Sequence, residues 1–461
     1  MGTNAGIDSV GKLRRALAAG AVLAALGVPA AGRVAHAAQP AVSFRDAAGI
    51  QVLSARRVDA RQWALHVSSP ALGRAVDVRV LLPTGYNPSA ARRYPVLYLF
   101  HGTSGRASDW VTMGGAEATT ARAPVITVMP DAGFDGDGGS WFTDWVDKTT
   151  ILGPSRWESF HIAQVVPWVD ANLKTVAARR GRAVAGVSQG GFGATSYAAR
   201  HPDLFASVAA FSGAPEIDQD PDIIAGATAV IESTAYGLDG VQPDAMFGSR
   251  ATNEINWRGH DPSTLMENLR ATGIHLWTAT GAPGPYDSTP SPAASGIEAL
   301  THDSTLHFHD RLVAAGIASD YHDYTYGTHT WAYWTRDLKQ YLDPMLHDLA
   351  AATTPRTISY TSIDQRWSQW GWAVRMQRPA AQEFSALTHA GAAGFTVSGS
   401  GTAYVLTPAL YRPGGTASVA VTGPAGTSTR QLTVSRDGRL QVTVPLGATS
   451  RAMTVSVRVR A

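Results

Sequence analysis

The sequence predicts an α/β fold built on a mostly parallel central sheet, followed by a small all-β sandwich. Three observations carry this. Between residues 94 and 349, apolar runs of strand length alternate with segments of helical periodicity, the pattern of a parallel sheet covered by helices on both faces. A glycine-rich turn, Gly186-Val187-Ser188-Gln189-Gly190-Gly191, joins one such run to a helix. Beyond Ala350 the helical period gives way to a period of two.

Taken in order, the chain opens with a segment that does not belong to the fold. Lys12, Arg14 and Arg15 precede an apolar run over 16–31, and Ala35-His36-Ala37 follows as a small-residue cleavage site. Residues 1–38 therefore read as a signal peptide, too short in its apolar part to span a membrane. The Arg14-Arg15 pair leaves both the general and the twin-arginine export routes open. The expected product is secreted or held at the cell envelope, with no transmembrane segment after the signal is removed. Cysteine is absent from all 461 residues, which excludes thiolate nucleophiles and thiolate metal sites and leaves stability to the hydrophobic core. A net charge of +2, with 16 % charged residues and no Lys/Arg run, excludes nucleic acid as the expected partner.

Residues 51–67 and 75–82 read as two opening strands, the second alternating at Val76, Val78 and Val80. Residues 94–100 are continuously apolar, as in a strand buried on both faces, and run straight into His101-Gly102-Thr103-Ser104-Gly105. Further strands are expected at 124–129, 204–211, 275–280 and 320–325. Helices are expected at 157–173, after Ser188, and at 262–272, 300–316 and 334–349. The catalytic domain then covers 39–350, a linker 351–357, and a β-sandwich 358–461. In the last, Asp437-Gly438 signals a hairpin turn, and Trp370 and Trp372 are expected on one strand face, in the core.

A strand, a Gly-x-Ser-x-Gly turn and a helix make the nucleophile elbow of the α/β-hydrolase fold. A serine hydroxyl needs a base, and the base needs a carboxylate. In this fold the order is nucleophile, acid, histidine. His329 lies just past the last expected strand, in Gly327-Thr328-His329-Thr330-Trp331, and is the expected base for Ser188. Asp287, Glu298 and Asp303 all follow the strand that should carry the acid, and position alone leaves Asp287 and Glu298 equal. The expected oxyanion donors are the main-chain N–H groups of Gln189 and Thr103, roles in which the side chains would be free to vary. Asp135-Gly136-Asp137-Gly138-Gly139 lacks the spacing of a calcium loop, so neither metal nor cofactor is expected.

The catalytic region resembles the esterase D superfamily, and within it the antigen 85 type mycolyltransferases of actinobacterial envelopes. The likeness is carried by Gly102, by Trp141-Phe142-Thr143-Asp144-Trp145, by Arg156-Trp157-Glu158-Ser159-Phe160, by Gly186 to Gly191, by Met246-Phe247-Gly248, by Ile297-Glu298-Ala299-Leu300, and by Gly327-Thr328-His329-Thr330-Trp331-Ala332-Tyr333-Trp334. It spans about 74–349 and not the β-region. The resemblance implies Ser188 as nucleophile, His329 as base and Glu298 as acid, acting through an acyl-serine on an acyl ester or acylated glycolipid. In such enzymes the acyl group passes to a sugar hydroxyl. Two departures leave hydrolysis by a carboxylesterase or a feruloyl-type carbohydrate esterase equally open: His101 stands where the transferases carry an acidic residue, and Gly190-Gly191 is the pair of general esterases. His101, Trp141, Trp145 and Trp331 are the expected substrate-binding residues. A non-catalytic envelope-binding protein, with the β-region holding glycan, is the alternative of another class, and a broken triad would mark it.

Overall fold

The computed structural model describes residues 42–134, 137–289 and 291–459. The expected signal peptide, and Asp135 and Gly136 of the glycine-rich loop, lie outside the described residues. Among the described residues, the region up to Ala351 is built on nine strands: β1 (Gln51–Arg57), β2 (Gln62–Ser68), β3 (Ala75–Leu81), β4 (Val96–Phe100), β5 (Ile126–Pro130), β6 (Arg182–Val187), β7 (Ser207–Phe211), β8 (Gly273–Ala279) and β9 (Asp320–Tyr324). Eight helices accompany them: α1 (Asp109–Thr112), α2 (Ala116–Thr119), α3 (Val166–Asn172), α4 (Gln189–Arg200), α5 (Pro221–Ser233), α6 (Arg250–Arg258), α7 (Pro292–Ala314) and α8 (Trp331–Ala351). The sheet order is β1-β2-β3-β5-β4-β6-β7-β8-β9. Strands β4 to β9 run parallel, and β1, β2 and β3 add an antiparallel edge. This is the α/β-hydrolase arrangement.

Strands β4, β5, β6 and β7 are buried at every position, because both faces are covered. Tyr98, Val184 and Val208 join the core on one face. Leu97, Leu99, Ala183 and Ala185 pack with Leu338 and Tyr341 of α8 on the other. Several expectations are corrected. The opening segment 51–67 breaks at 58–61 and folds back as the β1–β2 pair. Residues 262–272 form only a short 3₁₀ turn, Met266–Leu269. Helix α7 starts eight residues before the expected 300, at Pro292, where Ser291 Oγ accepts the N–H of Ala294 and proline suits the first turn.

After α8 come β10 (Ile358–Ser362), β11 (Arg366–Gln369), β12 (Trp372–Gln377), β13 (Ser385–Gly391), β14 (Gly394–Leu406), β15 (Thr416–Gly423), β16 (Gly426–Thr433) and β17 (Gln441–Val459). All their pairings are antiparallel. The long strands β14 and β17 change register at Gly399, Gly401 and Gly447, the bulges that bend a sheet. One half, β12 with the ends of β14 and β17, shares a single core with the other half, through Val374, Val405 and Val442 on one side and Leu387, Val419 and Val455 on the other. Two expectations fail here. The Asp437-Gly438 turn forms, with the Ser435 N–H donating to the Arg439 carbonyl at 2.9 Å, but the strands it joins are separated by β15. Trp370 and Trp372 do not share a face: Trp370, at φ 54°, and Gly371 make the turn between β11 and β12.

Candidate active site

Ser188 sits between β6 and α4 at φ 56°, ψ −125°, a conformation that costs energy and persists only where its surroundings impose it. They do so by close approach. A Cβ on Gly186 would lie 2.1 Å from the Gly190 carbonyl oxygen, and one on Gly190 2.4 Å from that of His101. The Ser188 N–H donates to the Phe211 carbonyl at 3.0 Å, pinning the elbow to β7. The hydroxyl is thus presented at the carboxyl end of the sheet, above the positive end of α4.

Gly327 turns the chain after β9 and delivers His329. Its Nδ1–H donates to Glu298 Oε2 at 2.8 Å, with side-chain exposures of 9 % for His329 and 1 % for Glu298. His329 Nε2 is buried and has no partner. Ser188 and His329 line one cleft of about 850 Å³, so the bare ring nitrogen and the hydroxyl share a space. In a free enzyme such bonds are often long and close only around substrate. Glu298 is fixed on its other oxygen: Oε1 accepts the Ala279 N–H at 2.9 Å and the Ser212 hydroxyl at 2.8 Å. Ser212 Oγ in turn accepts Trp334 Nε1–H at 3.0 Å, and the Trp334 ring stands edge-on to His329 at 4.8 Å. Sequence reasoning passed over Ser212 and Trp334. The available signal was position: Ser212 follows β7 directly, at the end of the sheet where function collects.

Asp287 is turned elsewhere. It accepts from the Thr328 hydroxyl, from Tyr333 OH at 2.7 Å and from the Gly284 N–H at 2.7 Å. Burial pushes its carboxyl up, but these three donors outweigh burial and hold it below the usual range. Asp303 lines the cleft with a largely exposed side chain.

Thr103 and Gln189 flank Ser188 in the cleft. The Gln189 N–H is the first of α4, one of those a helix leaves without an internal partner. Their side chains are not idle, contrary to expectation. Gln189 Nε2 donates to Thr103 Oγ1 at 3.2 Å and to the Gly138 carbonyl at 3.4 Å, and Oε1 accepts the Trp141 N–H at 3.3 Å. One amide ties the elbow helix to both loops that flank it.

Of the expected substrate-binding residues, Trp141 and Trp331 line the cleft. The other two do not. His101 is buried, donates from Nδ1 to the Gly102 carbonyl and accepts the Ala132 N–H at Nε2, each at 2.8 Å. Burial lowers its pKa, which keeps the ring neutral. Trp145 is buried behind the loop, donating to the Ser140 carbonyl at 3.1 Å. An apolar arm of the cleft runs between α5 and α7, lined by Ile223, Ala227, Val230, Ile297 and Leu300. Among the described residues no three His, Asp or Glu side chains gather in a way that could hold a metal ion.

The family model for putative esterases matches residues 69–344. The chain belongs to this esterase family. It is 34 % identical over 284 residues to Esterase Rv1288 of Mycobacterium tuberculosis, covering 60 % of this chain and 58 % of that one; it thus spans little more than half the length of that relative. It is 29 % identical to the diacylglycerol acyltransferase/mycolyltransferase Ag85B of Mycobacterium leprae, covering 59 % of this chain and 80 % of the relative. Among solved structures, Mycobacterium tuberculosis MPT51 (FbpC1) matches with a TM-score of 0.50 at 24 % identity, over 62 % of this chain and 97 % of that one. That likeness carries the α/β-hydrolase fold. The family match ends before β10, so the C-terminal strands lie outside it.

Proposed function

We propose that the protein is an exported serine esterase/acyltransferase that works through an acyl-serine. The observation that carries this reading is the His329 imidazole, held by Glu298 at 2.8 Å through Nδ1 and bare at Nε2, in the cleft that holds Ser188. Ser188 Oγ attacks the acyl carbonyl and its proton passes to His329 Nε2. The tetrahedral oxyanion is met by the N–H groups of Gln189 and Thr103. The intermediate collapses, the C–O bond to the alcohol breaks, and His329 protonates the departing oxygen. The acyl chain remains on Ser188 and lies in the apolar arm between α5 and α7. An acceptor hydroxyl then gives its proton to His329 and attacks the acyl-serine; the acyl–Oγ bond breaks, and His329 returns the proton to Ser188 Oγ. With a sugar as acceptor the donor is an acylated glycolipid of the cell envelope. This agrees with the Ag85B likeness and with the leader-like residues 1–38.

Hydrolysis to free acid is the second reading, and His101 favours it. Its side chain bonds the Gly102 carbonyl and the Ala132 N–H and has nothing to offer a sugar.

The test uses p-nitrophenyl esters from acetyl to long chain, with and without trehalose or glucose, and intact mass read in parallel. An acyl adduct on Ser188 is expected, absent in Ser188→Ala, with turnover in that variant down by about 10⁴-fold or more. Acyl sugar formed at the expense of acid marks a transferase; acid alone, indifferent to sugar, marks an esterase. Turnover unchanged in Ser188→Ala refutes both.

A further inference from the structure

The β-domain carries a charge that the rest of the chain does not share. Residues 358–461 hold ten arginines, no lysine, and only Asp364, Glu383 and Asp437 as acids, a net charge of +7 against −5 for residues 1–357. The three acids are already engaged: Asp364 with Arg200, Glu383 with Ser400, and Asp437 with Ser435 and Arg439. Among the described arginines, Arg378 is buried on the Ile363 and Glu383 carbonyls, and part of the remaining positive charge is concentrated on one surface.

That surface is the outer face of β11, β12, β14 and β17. Arg366 lies directly opposite Arg375 across the β11–β12 pair. Arg375 lies opposite Tyr404, and Tyr404 opposite Thr443. Like charges facing each other across strands are destabilising, and among the described residues neither arginine has a carboxylate within ion-pair distance. The Arg375 guanidinium stacks 3.9 Å over the Tyr404 ring, which fixes its plane. Arg430 reaches the far end of the row, donating to the Thr443 carbonyl at 2.6 Å. A shallow groove of about 470 Å³ lies along Arg366, Arg375 and Tyr404 and shares no residue with the Ser188 cleft.

We propose that this arginine–tyrosine row is a binding site for an anionic polysaccharide. Planar, oriented guanidinium groups match the paired oxygens of carboxylate or phosphate, and a half-buried tyrosine beside them offers a face to a sugar ring. A bilayer fits less well: among the described residues of this domain the only exposed large apolar side chain is Leu410, so nothing is available to insert. The inference extends the envelope reading to a second surface but does not depend on the chemistry at Ser188.

The test measures binding of the full mature chain to polygalacturonate, whose anions are carboxylates, and to phosphomannan, whose anions are phosphates. Dextran serves as neutral control and phosphatidylglycerol vesicles as the bilayer arm. Binding to at least one anionic glycan is expected, weakening as salt rises. Arg366→Gln/Arg375→Gln should weaken it about tenfold, since two charge-assisted contacts are lost, with p-nitrophenyl ester turnover unchanged. Arg451→Gln/Arg458→Gln removes the same charge elsewhere on the domain and should change binding less than about twofold. Arg375→Lys, which keeps the charge and loses the stacked fork, should fall between the two. Binding to neither polyanion overturns the proposal. So does equal loss in the two double variants, equal binding to dextran, or tighter binding to the vesicles.

Discussion

Glu298 has one carboxylate oxygen committed to the scaffold and one directed at His329. Because Oε1 is taken by the Ala279 N–H and the Ser212 hydroxyl, Oε2 alone faces Nδ1, and the imidazole is held with its proton there and Nε2 open. In Glu298→Gln the side-chain amide can turn its N–H toward Nδ1, forcing the proton to Nε2 and removing the base that the proposed mechanism requires. The ester kcat/KM is expected to fall by about a hundredfold or more. Asp287→Asn leaves that bond intact and loosens only the contacts of Asp287 with Thr328, Tyr333 and Gly284, so a fall of no more than about tenfold is expected, with the pH profile of kcat/KM unmoved. Equal losses in the two variants would refute the assignment. Position along the chain made these two carboxylates equal, and only the resemblance separated them. What divides them physically is the early start of α7 at Pro292, which sets Glu298 inside the helix and facing the sheet. Gln189 carries a second lesson at this scale. Its side chain bonds Thr103, the Gly138 carbonyl and the Trp141 N–H, so Gln189→Ala should lower kcat by on the order of ten- to a hundredfold with KM little changed. An unaltered kcat would mean that the oxyanion loop holds itself.

At the scale of elements, the loop behind Gln189 is tied by an acid to the turn that follows α5. Asp239 Oδ1 accepts the Gly139 N–H at 3.2 Å. Burial, then the neighbouring Asp137 charge, pushes the Asp239 pKa up to about 8 from an ordinary 3.8. The folded state thus holds a proton that the unfolded chain releases near pH 4. Between about pH 4 and 8 the native state binds more protons than the unfolded one, and stability falls as pH rises through that window. Asp239→Asn keeps an acceptor for Gly139 and removes the titration. Its melting temperature should therefore decline less than that of the parent between pH 5 and 8, as read by circular dichroism. Parallel slopes would show that Asp239 does not titrate there. The central strands were legible because continuous apolar runs such as 96–100 have one use in a small menu of elements: a strand buried on both faces. The connections were not. Residues 262–272 have helical spacing but fold as a turn around Asp261, whose carboxylate takes the N–H groups of Ile217 and Thr264. Helix α5 was missed although Asp220 caps it and Pro221 opens it, because its apolar positions are split: Ile231 and Ala227 pack in the core, while Ile223 and Val230 line the cleft.

For the whole molecule, the change of period after Ala350 marked the all-antiparallel C-terminal sheet but not what it rests on. The helix that begins behind Ser188 ends at Arg200, and that end is gripped by the β-domain. The Arg200 carbonyl accepts Tyr360 OH at 2.7 Å and Gln369 Nε2 at 2.9 Å. Its guanidinium donates to Glu158 at 2.9 Å, to the Gly259 carbonyl at 2.7 Å and to Asp364 at 3.3 Å. Burial opposes the charge on Glu158, but Arg200 and His201 overcome this and hold its pKa well below the usual range. Asn268 exchanges two bonds with the Thr361 main chain, and Trp370 lies under Arg179 with its N–H on Asp203. These partners are scattered through the sequence and share no pattern, so no local reading could pair them. From their arrangement we infer that the C-terminal sheet supports α4, the helix that begins behind Ser188. Ending the chain at Ala352 removes Tyr360, Asp364 and Gln369 together and leaves the Arg200–Glu158 pair at a new surface. Since each buried bond to such groups is worth about 1–3 kcal/mol, the shortened chain should melt about 5 °C or more below the parent. Its kcat on p-nitrophenyl esters should fall severalfold as the elbow loosens. If it instead melts and turns over like the full chain, the support role is gone, and the β-domain acts on its own surface alone.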